Sequence, residues 1–102
     1  MEISNREKKV FRQIAHHLDA VVTVATQGLT PGVVGETERA LTDHELIKVR
    51  LALAERTERQ AAAHELAEQC AATVIQNIGK VVVLYRKNPK ADPKLSNIAR
   101  YT

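Results

Sequence analysis

Residues Val22–Glu36 read VTVATQGLTPGVVGE, and the fold turns on how this stretch is divided. It opens as the end of the β-branched run VVTV (Val21–Val24), which reads as a buried strand. Small and turn-forming residues follow, and acidic and apolar residues then resume with helical spacing. Three of the four glycines and one of the three prolines of the chain fall here. Thr30 suits a helix N-cap and Pro31 the first helical position, where a missing N–H costs nothing. The helix is expected to run to about Thr42, burying Val33, Val34, Thr37, Ala40 and Leu41.

Outward from this junction the chain alternates. Upstream, Ser4 or Asn5 can cap a helix whose apolar face is Val10, Phe11, Ile14 and Leu18, ending near Asp19. Lys8, Lys9, Arg12 and His16 fall largely off that face and form a candidate basic ridge. Downstream, LIKVRLAL places Ile47, Val49, Leu51 and Leu53 on one side and Lys48 and Arg50 on the other, the pattern of a half-buried strand with a basic outer face. ERTERQAAAHELAEQC has helical composition, with Thr57 as candidate cap and Ala61, Ala62, Leu66, Ala67 and Cys70 towards the core. TVIQNI and VVVLY read as strands of a hairpin turning at Gly79–Lys80. The segment after Tyr85 carries Pro89 and Pro93 and is expected to lack regular structure. The order α-β-α-β-α-β-β predicts a single α/β domain with a mixed four-stranded sheet packed with helices.

At 102 residues the chain has the size of one domain. With only Phe11, Tyr85 and Tyr101 as aromatics, the core must come from Val, Ile, Leu and Ala. A single cysteine, Cys70, excludes an internal disulfide and fits a reducing, cytoplasmic setting. No apolar run approaches the roughly 20 residues of a membrane span. The net charge of +3 is uneven: from Lys80 onward six basic residues face one acid, Asp92, whereas the first 79 residues are about −2. A basic tail on a near-neutral domain points to a polyanion.

A strand entering a helix through glycines is a physical recipe for holding phosphate. Neither nucleotide motif fits. A P-loop needs Lys and Ser/Thr after its last glycine, but Gly35 is followed by Glu36 and Thr37. The spacing of Gly28, Gly32 and Gly35 is not that of a dinucleotide fingerprint. Two readings remain: a loop that clamps a nucleic-acid backbone, as the glycine loop of KH domains does, or a tight turn plus helix cap with no ligand.

Four further features carry a resemblance. The Ala-His pair at Ala15–His16, Gly-Leu-Thr at Gly28–Thr30, HELIKV at His44–Val49 and IG…VLYR at Ile78–Arg86 stand in an order and spacing that resembles the CRM domain (chloroplast RNA splicing and ribosome maturation) in its stand-alone bacterial, YhbY-type form. The likeness spans roughly residues 3–88. It implies a compact α/β fold similar to the C-terminal domain of translation initiation factor three. It also implies RNA binding and association with precursors of the large ribosomal subunit. The RNA-contacting G-x-x-G loop of that family maps onto Ala25, Thr26, Gln27 and Gly28. Here the first glycine is alanine and no basic residue stands inside the loop, so more of the affinity is expected from Lys48, Arg50, Arg86 and the tail.

Other chemistry finds little footing. His16, His17, His44 and His64 show no closed metal-ligand pattern. Cys70 ends a helix, where the dipole does not activate a thiol. Glu36 and Glu38, two apart on a helix, diverge and cannot act as a catalytic pair. No enzyme, cofactor, metal, membrane or small-molecule substrate is expected. The expectation is a cytoplasmic monomer with a domain at residues 1–88 and a flexible basic tail at 89–102. It grips structured RNA, ribosomal RNA of the large-subunit precursor, through Ala25–Gly28, Lys48, Arg50, Arg86, Lys87, Lys8, Arg12 and His16. The alternative is a protein-interaction module whose basic tail docks an acidic partner.

Overall fold

The computed structural model describes residues 3–101; Met1 and Glu2 of the expected domain and Thr102 of the expected tail lie outside them. Eight elements follow in order: α1 (Asn5–Ala15), β1 (Ala20–Val24), α2 (Pro31–His44), β2 (Leu46–Leu51), α3 (Arg56–Gln69), β3 (Thr73–Ile78), β4 (Val81–Tyr85) and α4 (Asn97–Tyr101). The strands form one mixed sheet in the order β1-β2-β4-β3, with β1 and β2 parallel and the other pairs antiparallel. The parallel pair is the reason α2 exists where it does, since such strands need a crossover. Both edge strands carry a register shift, at Ala20/Val22 in β1 and at Val74/Gln76 in β3.

Helices cover both faces of the sheet. On one side α2 and α3 close over Val22, Val24, Ile47, Val49, Val82 and Leu84, with Leu41 and Leu66 fully buried between. On the other, α1 packs Phe11, Ile14 and Ala15 onto Leu46, Ile75 and Val83. The Phe11 and Tyr85 rings sit 4.6 Å apart there. β2 thus buries residues of both faces, and only Lys48 and Arg50 break its apolar character.

The helix ends follow local chemistry. Ser4 accepts from the Glu7 amide while the Glu7 carboxylate accepts from the Ser4 amide, a complete capping box. Thr30 Oγ1 accepts from Val33 N at 3.2 Å, with Pro31 first in α2 as expected. α3 closes on a left-handed residue, Ala71 at φ 52: the Ala72 amide donates to Ala67 O and the Ala71 amide to Glu68 O. That is the bonding of a Schellman end, built on alanine where glycine is usual.

Five readings are corrected. α1 stops at Ala15 rather than near Asp19, because His16–Leu18 tighten into a turn bonded to Arg12, Ile14 and Ala15. β1 is not a buried strand but an edge strand alternating in burial, with Val21 half exposed. The cap of α3 is Glu55, without a side-chain bond, so Thr57 lies inside the first turn. In the alanine run it is Ala63, not Ala61, that reaches the core.

The fifth correction is the largest. The segment expected to be a flexible tail folds back onto the domain and ends in α4. Ser96 Oγ donates to Glu45 Oε1 at 2.8 Å, Asn97 Nδ2 to Leu46 O at 2.7 Å, and the Asn88 amide to Glu45 Oε2 at 2.7 Å. His44 Nδ1 donates to Leu95 O at 2.8 Å. Ser96 and Asn97 are buried, and Ile98 joins the cluster under α1. Glu45 is held at φ 61, a conformation side-chain-bearing residues rarely adopt, by this same set of bonds.

Candidate nucleic-acid interface

Ala25–Gly28 forms a tight turn at the free end of β1, closed by the Gly28 amide donating to Ala25 O at 2.8 Å. Gly28 has φ +77, and a Cβ built on it meets nothing within 4 Å. Glycine is required there by the backbone, and the space beside it is open. Ala25 does not have a positive φ, so alanine at the first loop position imposes no strain on this turn. Ala25, Thr26 and Gln27 are exposed, and the Thr26 and Gln27 amides have no partner among the described residues. Two free N–H donors on an exposed turn are a ready contact for phosphate oxygens.

Beside the turn lies a bare strip of sheet. α1 covers only the half of its face nearer Tyr85, leaving Thr23, Arg50 and Ile78 exposed and Val81 half-buried. Thr23 pairs with Arg50 across the parallel ladder. Strand spacing therefore puts the Arg50 backbone roughly 8 Å from Ala25. The Arg50 side chain makes no hydrogen bond or ion pair among the described residues. Lys48, half-buried, lines a shallow groove of about 270 Å³ with Ala15, His16, Gln76 and Ile78. His16 caps the end of α1 and is exposed. Lys8, Arg12 and His16 follow at four-residue spacing, so the ridge runs from this groove down the flank of α1.

The remaining two expected residues are elsewhere. β4 runs antiparallel to β2, so Arg86 and Lys87 emerge at the opposite end of the sheet from the turn. Lys87 is exposed there. Arg86 is a structural tether. Its Nη1 donates to Glu38 Oε2 and Cys70 O, both at 2.8 Å, and its Nη2 to Glu38 O and Thr42 Oγ1 at 3.1 and 3.0 Å. Expected at the RNA contact, Arg86 has both terminal nitrogens bonded inside the molecule. Arg86 holds the Glu38 carboxyl below its ordinary range. Burial, aided by neighbouring Glu38, pushes the Cys70 thiol up from 9.0 to about 11, which keeps it neutral and unreactive.

Basic residues that the sequence reading did not assign to the site gather at the turn's end of the sheet. Lys80 lies in the β3–β4 hairpin, Arg56 begins α3, and Arg59 bonds the carbonyls of Leu53, Ala54 and Gly79. Their signal was topological: each follows or precedes a strand end that the alternating order brings to the same side. Among the described residues no group of three His, Cys, Asp or Glu side chains could hold a metal ion, and no helix is long and apolar enough to cross a membrane.

Comparison with known proteins agrees with this architecture. A hypothetical protein of Staphylococcus aureus, solved in solution, superposes with a TM-score of 0.77 at 23% identity, covering 89% of this chain and 95% of its own. A Pseudomonas aeruginosa protein named as a probable RNA-binding protein is 54% identical over 101 residues, 99% of this chain and 97% of the relative. An RNA-binding protein of Haemophilus influenzae is 40% identical over 93 residues, 91% and 94% of the two chains. The model of the CRS1/YhbY (CRM) domain matches residues 3–86. A four-stranded α/β sheet ending in an exposed Gly28 turn, matched across nearly its whole length, places this chain in the CRS1/YhbY (CRM) domain family.

Proposed function

We propose that this protein binds structured RNA in the cytoplasm, as a monomer, and assists assembly of the large ribosomal subunit by holding ribosomal RNA of its precursor. The observation that carries the reading is the Ala25–Gly28 turn, with open space at Gly28 and two amides that have no partner among the described residues, set beside an Arg50 side chain likewise without one. Lys48, His16, Arg12 and Lys8 extend this contact along one face. Binding by backbone amides and separate cations suits phosphate and 2′-hydroxyl contacts on folded RNA. Base stacking has little to work with, because Tyr85 is packed against Phe11 and Tyr101 stacks with His17.

The names of the relatives as RNA-binding proteins support the same ligand class. The alternative, a protein-interaction module whose basic tail docks an acidic partner, would have to use a segment anchored through Ser96 and Asn97 to Glu45 and Leu46. A sucrose-gradient profile of a lysate at low magnesium, with and without ribonuclease, tests the proposal. Sedimentation with large-subunit precursors that ribonuclease abolishes is the expected result; protein found only at the top of the gradient would remove the assembly role.

A further inference from the structure

The end of the sheet that bears the Gly28 turn has a second concave feature on its far side. Between the start of α3 and the β3–β4 hairpin lies a cavity of about 410 Å³, lined by Arg56, Arg59, Gln60, Asn77, Ile78 and Gly79. Arg59 builds it. Its Nε donates to Gly79 O at 3.1 Å, and its Nη1 to Leu53 O and Ala54 O at 2.9 and 2.8 Å. All three acceptors are neutral carbonyls, so the guanidinium is fixed in place while its charge stays uncompensated.

Arg56 is exposed and its side chain has no hydrogen bond or ion pair among the described residues. Among the described residues no carboxylate lines the cavity. Glu55 and Glu58 are the nearest acids in sequence, and helical spacing sends Glu58 to the opposite side of α3 from Arg56, Arg59 and Gln60. The wall facing the arginines combines the Asn77 amide with Ile78, whose 65% exposure is conspicuous for a large apolar side chain. Ile78 also borders the groove of Lys48 and His16, so the two hollows share a rim.

We infer that this cavity is a second anchor for a ribose–phosphate backbone, on the same RNA that the Gly28 turn engages. A phosphate faces the Arg56 and Arg59 guanidinium groups, the Gln60 and Asn77 amides meet ribose hydroxyls, and Ile78 supports the sugar or base. The inference rests on the RNA-binding function proposed above and adds where the strand goes next. Three inter-strand steps separate β1 from β3, placing the two anchors roughly 14 Å apart. One RNA segment can touch both, crossing the open face of Lys48 and Arg50.

The test is the affinity of the full chain for a labelled RNA hairpin with a single-stranded flank, measured across potassium chloride concentrations. Arg56→Gln alters an exposed first-turn position and leaves the fold intact. It is expected to weaken binding roughly three- to tenfold whatever the RNA sequence, and to lower the slope of log affinity against log salt by about 1. Arg39→Gln, at an exposed site on α2, is the control for loss of net charge and should change neither quantity appreciably. An Arg56→Gln protein with unchanged affinity and slope, or one no weaker than Arg39→Gln, overturns the inference while leaving RNA binding intact. Failure of the unmodified chain to bind the hairpin overturns the RNA reading itself, and the second anchor with it.

Discussion

Arg50 and Arg86 stand at opposite ends of one sheet, the first next to last in β2 and the second just past the end of β4, yet their surroundings differ in every respect that matters. Arg50 projects from β2 onto bare sheet beside the Gly28 turn, without a partner among the described residues. Arg86 leaves β4 into a nest of acceptors from α2 and the end of α3. The charge is identical; the number of acceptors within reach decides whether it holds the fold or remains available to a ligand. One end of the domain is closed by polar bonds, and the other leaves its donors open.

Removing each arginine should separate the two roles. Arg86→Ala strands the Glu38 carboxylate and the Cys70 carbonyl, and is expected to cost about 3 kcal/mol in chemical denaturation. Arg50→Ala should stay within about 0.5 kcal/mol of the parent. Comparable losses at both sites would break the contrast.

Acid sharpens it. Because Arg86 lowers the Glu38 pKa in the folded chain, the pair stabilises above the ordinary carboxylate value of 4.5, and that contribution is lost as pH falls through the lower folded value. Glu38→Gln should lack this part of the acid sensitivity in denaturation measured from pH 6 to pH 3.

Next in size is the open end. Lys48→Glu with Arg50→Glu should weaken binding of an RNA hairpin by about 2 kcal/mol with little change in melting temperature. Unchanged affinity would mean that this face is merely solvated. Ala71→Gly relieves the left-handed residue closing α3 and is expected to add about 1 kcal/mol of stability. The smallest effect belongs to the turn. Ala25→Gly, at a position without positive φ, should leave RNA affinity equal or tighter by less than about 0.5 kcal/mol. A clear loss there would show that the turn does not present RNA in the way proposed.

Much of the open end was legible in the sequence, because its signals are local. Thr30 and Pro31 announce α2 within four residues, Gly28 marks the position of the Ala25–Gly28 turn that has positive φ, and alternation in LIKVRL puts Lys48 and Arg50 on one face. The closed end was not legible, because its bonds join residues far apart in the chain. Ser96 meets Glu45 and Asn97 meets Leu46 across 51 positions, and Arg86 meets Glu38 across 48. No periodicity encodes such pairs, so a serine and an asparagine in a proline-bearing tail read as solvated. The Ala61–Ala63 run failed for a different reason: three alanines in a row leave the helical phase undetermined until Leu66 fixes it against the sheet.

The register shifts in β1 and β3 have a bearing on solubility. A four-stranded sheet has two unpaired borders, each able to template a strand from another copy. Here both borders are interrupted, at Ala20/Val22 and at Val74/Gln76, so neither offers an unbroken ladder of donors and acceptors. A molecule that leaves apolar side chains such as Val21 and Ile78 bare at its borders needs such a safeguard. The irregular edges let the surface stay open to a ligand while discouraging the sheet from growing by addition of its own kind.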